Sequence, residues 1–153
     1  MNPDKLLHIE AACLNPQDAI LFRLYLEGVE IHEMIYLKSI SLDPVNRILK
    51  ISNASGRTRE LTVSAKCVAL YQKALHQAYY ISETRTEMIP LMKSAFLLKA
   101  SIYDYKALEG NLEDMDAVIL RTIDRRLHDL SQIHSYPELT YLPSGLQMLQ
   151  QTV

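Results

Sequence analysis

The sequence predicts an α+β domain, mainly helical, with one small antiparallel sheet around residues 47–63. Three observations predict it. Apolar residues recur every three or four positions before Asp43, switch to short extended segments there, and return to a helical period after Ser64. Turn signals mark both switches. The chain has 153 residues, 48% of them hydrophobic and 22% charged, which excludes a disordered chain. A chain of this length suits one domain, expected over 1–153 and open to being a piece of a longer protein, burying roughly 70% of its unfolded surface.

Each element has a local cause. Residues 1–15 read as an amphipathic turn or short helix ending at Asn15-Pro16, and proline suits the first turn of the next helix. There Ile20, Leu21, Leu24 and Tyr25 share a face, and Gly28 follows as a stop. A second helix carries Ile31, Met34, Ile35 and Leu37, so two helices meet at a glycine corner. Asp43-Pro44 is a turn, Arg47–Ile51 a strand, Asn53–Gly56 a turn and Arg57–Val63 a second strand, making a hairpin. Ser64 caps a helix expected to reach about Ile81, with Cys67, Val68, Tyr71, Leu75 and Tyr79 on one face. Ile89-Pro90 interrupts the next segment, and Ser101–Asn111 reads as a loop. Ile119, Ile123, Leu127 and Leu130 then mark a strong helix, and Pro137 and Pro143 break up the tail.

Chemistry-bearing motifs are scarce. Cys13 and Cys67 form no metal or redox motif and read as reduced small hydrophobes. His8, His32, His76, His128 and His134 are scattered, so no metal and no cofactor is expected. No apolar run approaches the ~20 residues of a membrane span, and the acid-bearing N-terminus is no secretory signal. A cytoplasmic protein without membrane contact is the expectation.

The net charge of −2 conceals an uneven distribution. Residues 1–43 balance at −4 and residues 80–153 at −3. Residues 44–79 hold Arg47, Lys50, Arg57, Arg59, Lys66 and Lys73 against Glu60 alone, a balance of +5. A basic segment between acidic flanks steers anionic partners where the total charge does not.

The stretch from Gln17 to Lys38 resembles the opening of the catalytic domain of tyrosine recombinases, the phage integrases. Gly28, Ile31, Glu33, Met34 and Leu37 match a segment of the type G-L-R-I-S-E-L-L-x-L. Arg59-Glu-Leu-Thr-Val-Ser64 occupies the slot of the strand ending R-x-V-P-L-S, with a helix next. Ser94–Ser101 is similar to the family's L-F stretch, and Val118–Leu130 to the helix before its H-x-L-R box. The resemblance covers about residues 16–147.

It also implies which catalytic positions are degenerate. The first catalytic arginine falls at Glu30 and the hairpin lysine near Ala54. The H-x-L-R box aligns on Ser144-Gly-Leu-Gln147, so Ser144 and Gln147 replace its histidine and arginine. The given sequence stops before the region of the tyrosine nucleophile. A carboxylate repels the phosphate that the arginine clamps, and one lost donor costs ~3–4 kcal/mol in comparable sites. No catalytic residue and no enzyme activity are therefore expected.

Binding can outlive chemistry, because phosphate contacts need only positive charge and donors. The family packs this domain around duplex DNA near the hairpin and the helix after it. The resemblance thus implies DNA contact through Arg47, Lys50, Arg57, Arg59 and Lys66, by a non-catalytic regulator or repressor of prophage or mobile-element origin. The alternative is an interaction module that assembles with itself or blocks a partner recombinase. Nine tyrosines, including Tyr79, Tyr80, Tyr103 and Tyr105, support that second reading.

Overall fold

A computed structural model describes residues 2–83, 87–106 and 115–142. The fold is α+β: helices joined to two small antiparallel sheets. Helix α1 (Pro3–Ala12) is capped by the Asn2 side chain accepting from the Asp4 N–H, and α2 (Pro16–Leu26) begins on proline as its sequence demands. Gly28, at φ +105°, turns the chain into the four-residue α3 (Ile31–Met34). The glycine corner is real, and the second helix is a single turn.

Strands β1 (Leu42–Asp43), β2 (Ile48–Ser52) and β3 (Thr58–Thr62) form a three-stranded sheet in that order. Lys50 pairs with Glu60 and Ile51 with Arg59, which fixes the faces. Leu49 and Ile51 point into the core, and Arg59 shares their side of the sheet. Lys50 and Glu60 stand on the outer side. The sheet expected around 47–63 is present with this one extra strand.

Helix α4 (Ala65–Leu75) is capped by Ser64, whose hydroxyl accepts from the Cys67 N–H at 3.0 Å. The helix expected to reach Ile81 ends at Leu75. Tyr79–Ile81 is instead β4, paired antiparallel with β5 (Met88–Pro90) in a second sheet. Two tyrosines and an isoleucine favour extended backbone, and the side chain of Asn15 reinforces it by bonding both the N–H and the carbonyl of Ile81 at 2.8 Å. Tyr79, expected on the helix's buried face, is half-exposed in consequence.

The loop expected at Ser101–Asn111 contains a short helix, α5 (Ile102–Lys106), started by Asp104 accepting from the Ser101 N–H and hydroxyl. The 19-residue α6 (Met115–Ile133) follows, and a 3-10 turn (Pro137–Tyr141) packs Leu139 and Leu142 back on the core. The main core gathers residues of α1, α2, α3, β2, α4 and α6, with Leu97 and Leu98 between them. Among the described residues no helix is long and apolar enough to cross a membrane.

Candidate nucleic-acid interface

The basic segment is built on turns that its own polar residues impose. Asp43 Oδ1 accepts from the N–H groups of Val45 and Asn46, closing the turn before β2 and leaving Arg47 left-handed at φ +56°. At the other end Asn53 Oδ1 accepts from the N–H groups of Ser55 and Arg57, while Gly56 takes φ +82°. Ala54 sits exposed in this turn. Ser144 and Gln147 lie outside the described residues.

The five expected DNA-contacting residues divide into two kinds. Arg47, Lys50 and Arg57 are exposed and make no ion pair within 4 Å among the described residues. Arg47 lies at the base of the hairpin, Lys50 on its outer face and Arg57 at its tip. Arg59 and Lys66 are engaged instead. Arg59 clasps the Glu33 carboxylate through Nε at 3.1 Å and Nη2 at 2.8 Å, and Nη2 also donates to the Gly28 carbonyl at 2.8 Å. Burial alone raises Glu33's pKa, but Arg59 and the Glu30 N–H bind the charged form and hold it below the ordinary carboxylate range. Lys66 reaches the buried Glu10 at 3.4 Å.

Glu10 also takes a forked pair of bonds from Arg23, at 2.6 and 2.7 Å. Glu27 bonds the N–H and the hydroxyl of Ser64 at 2.8 and 2.7 Å. Charged side chains thereby tie α1, α2 and the start of α4 together behind the hairpin. Glu30 stands immediately before α3 with its carboxylate 2.7 Å from His32 Nε2. The Arg59 guanidinium lies in the same corner, bonded to residues on either side of Glu30 in sequence.

A second polar network escaped the sequence reading. Arg126 is 1% exposed, donating to Gln17 Oε1 at 3.0 Å and the Lys99 carbonyl at 2.7 Å, with its guanidinium 4.7 Å from the Tyr80 ring centre. Asp18 is as deeply buried and accepts from the Tyr80 hydroxyl at 2.7 Å. Burial raises Asp18 to about 6, against the opposing pull of Arg126. The signal existed: residues 119, 123, 126 and 130 follow a helical period, which places an arginine on the apolar face of α6.

Among the described residues no group of three or more histidines, cysteines or carboxylates could hold a metal.

The model of the family described as "MrpR, C-terminal catalytic domain" matches residues 1–144. No curated protein matches the chain. Among solved structures, the crystal structure of XerA recombinase is similar at a TM-score of 0.48 and 14% identity. The alignment covers 98% of this chain and 61% of that one, so this chain spans about three fifths of its length.

The family description corrects the expectation that the chain is no enzyme, since the matching domain is a catalytic one. That expectation rested on Glu30, Ala54, Ser144 and Gln147 standing at the family's catalytic positions and on the given sequence stopping before the region of the tyrosine. From the glycine corner through the hairpin to α6, the chain is a tyrosine-recombinase-like domain and belongs to the family of the MrpR C-terminal catalytic domain.

Proposed function

We propose that this domain binds double-stranded DNA through backbone phosphates and serves in the cytoplasm as a transcriptional regulator of a prophage or mobile element. The observation that carries the reading is the set of three unpaired, exposed cations on the β2–β3 hairpin: Arg47, Lys50 and Arg57. Arg47 and the hairpin tip are six residues apart along β2, which spans ~20 Å of extended chain. That length matches the axial rise of about six base pairs at 3.4 Å each, so the cations can follow one strand of a duplex. Arg59 and Lys66 contribute as positioned charges, since each already serves a carboxylate.

Each phosphate neutralised adds about 0.9 to the slope of log affinity against log salt. Replacing Arg47, Lys50 and Arg57 together by glutamine should lower that slope by about 2–3 units and weaken binding to all sequences alike. An unchanged slope in fluorescence-anisotropy titrations would sink the reading.

A second reading, a module that assembles with itself or another integrase-like protein, is favoured by the outer face of the β4–β5 sheet. There Tyr79, Ile81 and Met88 are 50%, 39% and 64% exposed. Sedimentation at rising concentration separates the two: association that Ile81→Ser abolishes, without salt-sensitive DNA binding, favours the module.

A further inference from the structure

A cleft of about 560 Å³ opens between β4–β5, α5 and α6, within the ~300–1,000 Å³ usual for small-ligand sites. We propose that this cleft binds the oxyanion head, a carboxylate or a phosphate group, of a small molecule with an aromatic or apolar body. The proposal is independent of the DNA reading, because none of the hairpin cations lines the cleft.

The charges in its walls are unevenly answered. Arg125 is neutralised by Asp104, with Nε donating at 3.0 Å and Nη2 at 3.2 Å, and lies 3.8 Å from Asp129. Arg121, one helical turn before Arg125 and exposed, has no ion pair among the described residues. Arg126 is the stronger observation. Among the described residues its bonds run to the neutral oxygens of Gln17 and Lys99, its Nε has no partner, and no carboxylate forms an ion pair with it within 4 Å, Asp18 acting on it only from further off. Asp18, behind it, spends one oxygen on the Tyr80 hydroxyl and leaves the other unbonded.

A buried guanidinium with an open donor is stabilised by any anion that completes its neutralisation. Glu87 also lines the cleft and has no ion pair among the described residues. The three arginines of the lining balance its three carboxylates, Glu87, Asp104 and Asp129, so the attraction is the local one of Arg121 and Arg126, which suits one small anionic head rather than a polyanion. Arginine's planar fork matches carboxylate and phosphate oxygens equally well. Ile89, Leu91 and Tyr103 supply the apolar wall for the body of such a ligand.

Calorimetric titration of the whole chain with phenylacetate, phenyl phosphate and inorganic phosphate tests this. One of the two aromatic probes should bind with a dissociation constant of ~1 mM or tighter, more strongly than inorganic phosphate, and raise the melting temperature in proportion to its saturation. Which aromatic probe wins identifies the head as carboxylate or phosphate. Arg121→Gln should weaken that binding at least tenfold while melting like the parent, and Lys50→Gln should leave it unchanged. Arg126→Met removes the buried donor but endangers the fold, so the decisive variant is Arg121→Gln. The proposal is overturned by the absence of heat and thermal shift with both aromatic probes, by unweakened binding in Arg121→Gln, or by equal loss in Lys50→Gln, which would mean diffuse attraction.

Discussion

Replacing Arg59 by alanine separates a structural from a DNA-contacting role, because the side chain occupies a corner where both are conceivable. The substitution removes both bonds to Glu33 and one to the Gly28 carbonyl. The Glu33 side chain is 8% exposed, so its carboxylate is left nearly buried without a counter-charge. Breaking a fully buried pair costs ~3–5 kcal/mol, whereas an exposed pair contributes ~0–1 kcal/mol. Arg59 itself is 43% exposed, so solvent screens the pair from one side and the expected loss is about 1.5–3 kcal/mol. For a chain of this size that lowers the melting temperature by about 3–12 °C. Arg57→Ala, which breaks no bond made by the Arg57 side chain, should stay within ~0.5 kcal/mol. Glu33→Gln combined with Arg59→Ala should cost less than the two single losses together, since neither partner is left charged and alone. Thermal melts of the five proteins, the parent, the three single variants including Glu33→Gln and the double variant, at one salt concentration decide the matter. If Arg59→Ala melts with the parent while DNA affinity falls, the carboxylate clasp is incidental and Arg59 is a phosphate ligand.

Asp18 provides a pH test. Its folded-state pKa of about 6 exceeds the usual carboxylate value, so the folded chain takes up this proton first as pH falls. Its contribution to stability therefore grows on acidification through about 6 and levels off below about 4. Asp18→Asn should flatten that part of the stability–pH curve; an identical curve would place the titration elsewhere. Ser64→Ala deletes the cap on the Cys67 N–H and the hydroxyl bond to Glu27, an expected loss of ~1–2 kcal/mol by denaturant titration, which Ser64→Thr should largely avoid. Gly56→Ala meets open space at φ +82°, so its cost of ~1 kcal/mol should come from the backbone alone; a neutral result would mean that the turn relaxes freely.

The elements legible in the sequence were those with local causes. Pro16 opens α2, Gly28 ends its turn, Asp43 and Asn53 close the hairpin and Ser64 starts α4, each acting within four residues of itself. The segment after Leu75 failed because its cause is remote. Asn15 holds Ile81 from 66 residues away, and no periodic pattern reports such a bond. The candidate interface was half legible for the same reason. Charge counting found the basic segment, while its division into free and engaged cations depends on Glu33 and Glu10, which belong to other elements. Arg126 was missed although its spacing puts it on the apolar face of α6, and its acceptors became evident only when Gln17 and Lys99 were brought beside it.

Gln17 has a bearing on how the chain is made in time. Its side-chain amide donates to Ala74 and Leu97 and accepts from the Lys99 N–H and from Arg126, and its backbone N–H is taken by Gln77. These partners lie 57, 80, 82, 109 and 60 residues further on. During synthesis, at roughly 5–20 residues per second, α2 thus waits on the order of ten seconds before Arg126 has even been added. Until then a buried amide at the start of α2 must keep water for company, and the helices that pack on it can only dock loosely. Closure of the core is in this sense governed from the far end of the chain, and arrest of translation before α6 should leave a nascent domain that proteases cut within its first half.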